Sequence, residues 1–208
     1  MKRTNSSQNW LRRHFNDHYV QAAQKAGYRS RAVFKLLEVQ EKDRIIRPGM
    51  VIVDLGAAPG SWSQIAAPLV GKSGAVIAMD ILPMDPLNDV TFIEGDFTEQ
   101  GVHDQLIAAL NGRELDLVLS DIAPNMSGQR AVDQPKAMYL AELALDFAQG
   151  TLKPGGAFFT KIFQGDGFDQ YLRLLRKSFN KVIIRKPNAS RPKSREVYIL
   201  AKDFKGES

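Results

Sequence analysis

The stretch VDLGAAPGSW, residues 53–62, decides the fold. It starts inside the short apolar run VIVDL (51–55), which is typical of a strand buried on both faces of a parallel sheet. Gly56 and Gly60 then allow a tight turn and a close approach of the backbone to a ligand. A helix is predicted over 61–70. Strand, glycine turn and helix in this order predict one unit of an open α/β sheet.

The same alternation of strand and helix continues along the chain, without an internal repeat. Further strands are predicted at 75–80, 91–96, 115–121, 156–165, 181–186 and 195–201. Further helices are predicted over 31–42, with Ser30 as N-cap, and over 101–111, 134–152 and 168–179. We therefore expect an α/β fold, a Rossmann-like doubly wound and mostly parallel seven-stranded sheet with a reversed edge strand.

The length and composition suit one domain. We expect a basic, partly disordered N-terminal extension over 1–28 and a single domain over 29–208. No apolar run is long enough for a membrane span, and the N-terminus does not favour a secretory signal. The chain has no cysteine, which excludes disulfides and a cysteine nucleophile and suits the cytoplasm. Its three histidines are too scattered to predict a metal site, and we expect a monomer without metal.

Charge is strongly segregated along the chain. Residues 1–47 carry a net charge of +7 and residues 171–198 a net charge of +8, whereas residues 48–170 carry −10. Two basic ends around an acidic middle predict a polyanionic partner, and nucleic acid is the first candidate because arginine and aromatic residues alternate in YRSRAVFK (28–35). A pair of solvated basic faces is the alternative.

Acidic residues close the successive predicted strands. Asp54 lies in the first, Asp80 ends the second and Asp96 ends the third. An acid about 20 residues after the glycine turn can bind ribose hydroxyls, in enzymes that use dinucleotides and in those that use S-adenosylmethionine. A dinucleotide site requires G-x-G-x-x-G, but Ala58 occupies the middle glycine position here. The pattern therefore favours a cofactor without a pyrophosphate in this turn.

Lys161 lies inside the apolar strand GAFFTKIFQG, residues 156–165. An ammonium group in such a strand must be paired, neutralised or functional, because burial removes its hydration. Asp121 ends the neighbouring predicted strand, Lys35 lies on the basic N-terminal helix and Glu196 opens the last strand. These two lysines and two acids can form a closed polar cluster if the fold brings them together.

An ordered set of motifs resembles a known family. The motifs are DLGAAPGSW, the acid Asp80, GDF (95–97), SDIAPNMSG, KIFQG, SRAVFKL and SREVY. Together they closely resemble the FtsJ/RlmE family of ribosomal RNA ribose 2′-O-methyltransferases, in order and from about residue 10 to about residue 201. One departure is Ser61, where members often carry a second glycine before the tryptophan; serine is a favourable residue at a helix start.

The resemblance implies an S-adenosylmethionine-dependent methyltransferase fold and a function. Such an enzyme would transfer a methyl group from S-adenosylmethionine to the ribose 2′-hydroxyl of a uridine in 23S rRNA of the large ribosomal subunit. It implies Lys35, Asp121, Lys161 and Glu196 as catalytic residues. It also implies that Gly60 and Trp62 line the methionine end of the cofactor, Asp80 the ribose, Asp96 the adenine and Asp121 the sulfonium.

The chemistry needs an in-line methyl acceptor and a group that takes the hydroxyl proton. We expect Lys161 to be the base or an orienting group, with Asp121 and Lys35 arranging it and Glu196 in a lesser role. Burial and the second ammonium favour a neutral Lys161, whereas the two acids favour the charged form. Both forms stay open at this point, as does a buried ion-pair cluster without catalysis.

The basic ends suit RNA. We predict that Arg29 and Arg31 on one side, and Arg191, Lys193 and Arg195 on the other, contact the phosphate backbone. A tRNA or mRNA-cap ribose methyltransferase would use the same lysine and acid chemistry, and an inactive rRNA-binding assembly factor is a non-enzymatic alternative. A base-modifying enzyme would need a stacking aromatic after Asp121, which is absent. A nicotinamide dehydrogenase does not fit the glycine pattern.

Overall fold

The computed structural model describes residues 18–191 and 193–206. Within them the helices are α1 (His18–Lys25), α2 (Val33–Asp43), α3 (Ser61–Val70), α4 (Gln100–Leu110), α5 (Arg130–Thr151) and α6 (Phe168–Ser178). The strands are β1 (Val51–Leu55), β2 (Ala75–Asp80), β3 (Val90–Glu94), β4 (Leu115–Ser120), β5 (Leu152–Phe163), β6 (Phe179–Arg185) and β7 (Glu196–Phe204). No helix in these two ranges is long and apolar enough to cross a bilayer. Most of the predicted N-terminal extension, residues 1–17, lies outside the described residues.

All seven strands form one sheet in the order β3-β2-β1-β4-β5-β7-β6. Strands β1 to β5 all run parallel to one another, whereas β7 is antiparallel to both β5 and β6. The predicted seven-stranded, mostly parallel and doubly wound sheet is therefore confirmed. The order reverses between β1 and β4, and the crevice at that point is where open α/β sheets bind ligands.

The sequence predicted the reversed strand at the edge of the sheet, and this position is wrong. Strand β7 lies between β5 and β6, and β6 is the edge strand. The crossover through α6 places β6 one strand away from β5, and the chain then returns antiparallel to fill the gap. This position has a consequence for the site. Because β7 runs in reverse, its first residue, Glu196, lies opposite Phe163 at the carboxyl end of β5.

Side chains of each central strand alternate between two hydrophobic layers. In β1, Val51, Val53 and Leu55 pack with helices α4, α5 and α6. Ile52 faces the other way, into the layer formed with α2 and α3. Complete burial of one such aliphatic side chain contributes about 2 kcal/mol. Helices cover both faces, so the central strands read as continuous apolar runs.

The same alternation places polar side chains beside α2. Phe159 of β5 and Leu200 of β7 belong to the layer that α2 and α3 cover. Two residues nearer the carboxyl end of β5, Lys161 faces the same layer, and its direct partner in the ladder is Tyr198. The apolar layer therefore ends in a lysine and a tyrosine under the first turn of α2.

Candidate active site

Lys161 meets Asp121 at the carboxyl ends of β4 and β5. Its Nζ lies 3.0 Å from Oδ1 of Asp121 and donates a 2.5 Å hydrogen bond to the main-chain oxygen of the same residue. The lysine side chain is only 8% exposed and the aspartate side chain 19%. Burial of this ammonium group is thus compensated by one residue that offers both a charge and a carbonyl.

Lys35 and Glu196 form a second ion pair on the same layer. Nζ of Lys35 lies 2.7 Å from Oε1 of Glu196. That oxygen also accepts a hydrogen bond from the hydroxyl of Ser190, at 3.0 Å. Lys35 reaches the pair from the first turn of α2, where the helix crosses the ends of β5 and β7.

Tyr198 joins the two pairs into one network. Its hydroxyl donates to Oδ1 of Asp121 at 2.8 Å and accepts from Nζ of Lys35 at 2.9 Å. Lys161, Asp121, Tyr198, Lys35 and Glu196 therefore form a continuous chain, which we call the lysine network. The structure thus brings the two lysines and two acids together, with Tyr198 as the link between the pairs.

Sequence reasoning missed Tyr198, because a tyrosine in an apolar strand looks like an ordinary core residue. The spacing between Tyr198 and Glu196 could have identified it as a site residue. Glu196 and Tyr198 are two residues apart in one strand, so their side chains lie on the same face of the sheet. Its ring is fully buried, stacks on Phe159 and packs at a tilt against Trp62, which fixes the position of the hydroxyl.

The network sets the charge of its members. Burial raises the pKa of Asp121, but Lys161, Lys35 and the hydroxyl of Tyr198 outweigh burial and hold the pKa of Asp121 below its usual range. Burial, together with Asp121 and Glu196, raises the pKa of Tyr198 well above its usual value. Asp121 is therefore ionised and Tyr198 is a neutral hydroxyl at physiological pH.

A cavity of about 380 Å³ opens beside the network, at the switch point of the sheet. We call it the cofactor cavity. Its walls come mainly from the ends of β1, β2, β3 and β4 and from the loops that follow them. They include Gly56, Asp80, Leu82, Asp96, Asp121 and Pro124. A cavity of this size suits a small organic ligand rather than a single ion.

Asp80 and Asp96 face this cavity from neighbouring strands. Asp80 accepts main-chain N–H groups on both oxygens, from Leu82 on Oδ1 and from Ala58 on Oδ2, each at 2.9 Å. Oδ1 of Asp96 accepts the N–H and the hydroxyl of Thr98, and these bonds lower the pKa of Asp96. Each carboxylate oxygen has two lone pairs, so both residues can still accept ligand hydrogen bonds.

Asp54 lies deeper, in a cavity of about 20 Å³ that shares Gly56 and Asp121 with the larger one. Its Oδ2 accepts from the hydroxyl of Ser63 at 2.7 Å. Its Oδ1 is buried and has no hydrogen-bond partner within the described part of the chain. Burial raises the pKa of Asp54 to about 7. A ligand cation at this point would satisfy the unpaired oxygen.

Gly60 and Trp62 are placed differently from each other. Trp62 lines the inner cavity, and its indole N–H donates to the carbonyl of Ala32 at 2.9 Å. Gly60 is instead covered from outside: its φ is +102°, and a Cβ there would lie 2.7 Å from Sδ of Met84 and 2.9 Å from Nη1 of Arg29. Only glycine fits this turn.

The five predicted RNA-binding residues fall into two groups. Arg191 and Lys193 are exposed on the connection between β6 and β7, residues 186–195, which we call the basic loop. The other three already hold protein groups. Arg31 donates to the carbonyl of Ala189, Arg195 to the carbonyl of Gln164 at 3.1 Å, and Arg29 to three carbonyls described below. RNA contact by all five remains a prediction.

Sheet order and site together define a class. The sheet is doubly wound with one inserted antiparallel strand, a glycine turn and acidic strand ends line a cavity at the switch point, and a lysine network adjoins it. These features define a Rossmann-like methyltransferase.

Comparison with known proteins identifies the family. The profile of the FtsJ-like methyltransferases matches residues 28–204. The chain is 64% identical to Ribosomal RNA large subunit methyltransferase E of Alkalilimnicola ehrlichii, over 98% of this chain and 97% of that protein. It is 60% identical to the protein of the same name from Pseudomonas aeruginosa, over the whole of both chains. A crystal structure of a ribosomal RNA methyltransferase from Plasmodium falciparum matches with a TM-score of 0.78 and 29% identity, over 86% of this chain and all of that one. The chain belongs to the FtsJ-like methyltransferase family, as the motifs predicted.

Proposed function

We propose that this protein transfers a methyl group from S-adenosylmethionine to the ribose 2′-hydroxyl of a uridine in 23S rRNA, acting on the large ribosomal subunit in the cytoplasm as a monomer. The lysine network beside the cofactor cavity carries the proposal, because it fixes Nζ of Lys161 against Asp121, a residue of the cavity wall. The relatives from Alkalilimnicola ehrlichii and Pseudomonas aeruginosa, both named for methylation of large-subunit ribosomal RNA, support the choice of substrate.

The residues around the cavity fit S-adenosylmethionine. The ligand carries a sulfonium and an ammonium group, and the cavity walls carry Asp54, Asp80, Asp96 and Asp121. Asp54 would receive the ammonium on its unpaired Oδ1. Asp80 would hold the ribose hydroxyls and Asp96 the adenine, while Trp62 closes the methionine end. When bound, S-adenosylmethionine supplies the activated methyl group.

Lys161 is the proposed proton acceptor. A neutral amine has two N–H groups and one lone pair. In this site the two N–H groups donate to Oδ1 and to the main-chain oxygen of Asp121. The lone pair then remains for the proton of the ribose hydroxyl. Asp121 fixes the direction of the amine in this way, and it stabilises the ammonium that forms when the proton arrives.

Tyr198 and Lys35 hold Asp121 in place. The tyrosine hydroxyl donates to the same Oδ1 that pairs with Lys161. Lys35 in turn donates to the tyrosine oxygen and pairs with Glu196. A carboxylate held from two sides presents one fixed geometry to Lys161, which is what positioning of a general base requires.

The basic loop would bring the RNA to the site. Ser190 of this loop donates to Glu196, so the loop is attached directly to the lysine network. Arg191 and Lys193 lie exposed on it. Phosphate contacts by these residues would give affinity and salt dependence, whereas RNA shape and a splayed nucleotide would select the target.

Methyl transfer to purified large subunits that lack the modification tests the proposal. The wild type is expected to place label from S-adenosylmethionine on a ribose 2′-oxygen, and Lys161→Ala to lose about a thousandfold in rate while still binding S-adenosylhomocysteine. Lys72→Ala is the matched control, because Lys72 is exposed in the turn before β2, at the opposite end of the sheet.

Three outcomes would contradict the proposal. Label on a base would mean another reaction. Transfer to tRNA or capped mRNA but not to large subunits would mean another substrate. Subunit binding without transfer by the wild type would identify an inactive assembly factor.

A further inference from the structure

Arg29 joins two loops that border the cofactor cavity. Its Nη1 donates to the carbonyls of Pro59, at 2.9 Å, and Asp85, at 2.7 Å. Its Nη2 donates to the carbonyl of Pro86 at 2.8 Å. Pro59 lies in the turn 56–60 between β1 and α3, and the other two lie in the connection 81–89 between β2 and β3, which we call the β2–β3 loop. Three of the five guanidinium N–H groups are thus committed to main-chain carbonyls.

The backbone of Arg29 is itself anchored. Its N–H donates to Oε1 of Gln64 on α3 at 3.2 Å, and Nε2 of Gln64 donates to the carbonyl of Gly27 at 2.9 Å. The side chain therefore extends from a backbone that is anchored to α3, the helix that follows the glycine turn. An arginine held at both ends can fix the distance between the turn and the β2–β3 loop.

The β2–β3 loop forms one wall of the cofactor cavity. Ile81 and Leu82 line the cavity, and they are 60% and 61% exposed. Large apolar side chains exposed beside a cavity indicate a surface that a ligand covers. The N–H of Leu82 binds Oδ1 of Asp80, so the inner end of the loop is tied to the proposed ribose-binding acid.

The outer part of the loop packs on the glycine turn. Met84 and Leu87 lie within van der Waals reach of Gly60, where any Cβ would clash with Met84 and with Arg29. These contacts are apolar and contribute little directional restraint. The three hydrogen bonds of Arg29 supply the direction that packing lacks.

We propose that Arg29 is a positioning residue that clasps the β2–β3 loop onto the glycine turn and so sets the affinity for the adenosine half of the cofactor. The inference rests on the proposed function in one respect, that the cavity binds S-adenosylmethionine. The role depends on shape rather than charge. Lysine is a point charge on a flexible stem and cannot reproduce a fork that reaches three carbonyls in two loops.

Calorimetric titration with S-adenosylhomocysteine and with adenosine tests the clasp. Arg29→Lys and Arg29→Ala are each expected to weaken both probes by about tenfold. The KM for S-adenosylmethionine is expected to rise by the same factor, because Arg29 holds two loops at the cofactor cavity and does not touch the lysine network. Arg113→Lys is the matched control, since Arg113 also donates to a carbonyl, that of Leu110, but lies before β4 at the opposite end of the sheet.

The outcomes separate the clasp from the proposed function. A wild type that does not bind S-adenosylhomocysteine overturns the proposed function and the clasp with it. A wild type that binds, beside an Arg29→Lys variant that binds equally well, overturns the clasp alone. A fall in kcat at unchanged KM also overturns it. Unchanged cofactor binding in Arg29→Ala with a flatter salt dependence of RNA binding would return Arg29 to the RNA contacts. Arg29→Lys keeps the charge, so it serves as the folded reference if Arg29→Ala unfolds.

Discussion

The carboxylates on the two sides of the site are compensated in opposite ways. In the lysine network, Asp121 and Glu196 each have a lysine within 3.0 Å. Around the cofactor cavity, Asp54, Asp80 and Asp96 are held by hydroxyl and main-chain N–H groups. None of the salt bridges within residues 18–191 and 193–206 involves these three acids.

This difference indicates what each side is built to do. In the network each acid is already paired with a lysine before any substrate arrives, which fixes the geometry of the proposed base in advance. The cavity keeps an excess of negative charge, which suits a cationic ligand. The pKa values follow the same division: burial raises the pKa of Asp54 to about 7, while Lys161 and Lys35 overcome burial at Asp121 and lower its pKa.

The largest expected effect is on Asp54, and it shows in the pH dependence of stability. The unfolded carboxyl titrates near 4, but the folded one titrates at about 7. The folded state therefore binds the extra proton between these values, and the wild type loses up to about 4 kcal/mol of stability through Asp54 as pH rises through this window. Asp54→Asn has no such loss, so its stability relative to the wild type should improve as pH rises from 4 to 8.

Urea unfolding of both proteins at several pH values measures this change. The comparison between variants cancels the titration of all other groups. A constant difference between wild type and Asp54→Asn across the window would show that the pKa of Asp54 is the same in the folded and unfolded states. The cavity would then already contain its own compensation, and the contrast between the two sides would disappear.

The next largest effect is expected from Asp80. Asp80→Asn keeps one acceptor oxygen but places an amide group where Leu82 or Ala58 needs an acceptor. We expect the Kd for S-adenosylhomocysteine to rise about a hundredfold, with kcat at saturation nearly unchanged. Asp146→Asn, an exposed acid on α5, is the control. An equal loss of kcat would mean that Asp80 supports the network as well as the cavity.

The two sides also differ in how well the sequence predicts them. The three acids of the cavity side, Asp54, Asp80 and Asp96, come from strands or the turns directly after them, and hydrophobic runs locate each of these strands. Asp80 and Asp96 could therefore be placed from pattern alone. Gly60 was placed in the right turn, but the sequence could not show that Met84 and Arg29 would cover it.

The network side is assembled from distant segments. Lys35 and Tyr198 are 163 residues apart in sequence, and no local pattern links them. Family resemblance identified four members, whereas Tyr198 looked like core. The strand order was also beyond the pattern, because both an edge position and an inserted position for β7 satisfy the same apolar alternation. Only the inserted position brings Glu196 beside β5.

A smaller effect is expected from Tyr198→Phe. The ring keeps its packing against Phe159 and Trp62, so the fold is retained, but Asp121 loses a donor that lowers its pKa. We expect kcat to fall about tenfold and the acidic limb of the pH–rate profile to move to higher pH. An unchanged profile would mean that the lysines alone hold Asp121. Cofactor affinity is the internal control and should not change.

The smallest effect is expected from Arg191, which belongs to a group of positive charges rather than of acids. Burial lowers the pKa of Arg31, and the nearby positive charge of Arg191 lowers it further. Two cations close together favour a polyanion, just as uncompensated acids favour a cation. Arg191→Ala should weaken RNA binding only a few-fold and reduce the slope of log affinity against log salt by about 0.7 to 0.9. Arg191→Lys should keep the slope, and cofactor binding should not change in either variant. An unchanged slope in Arg191→Ala would remove this arginine from the RNA footprint.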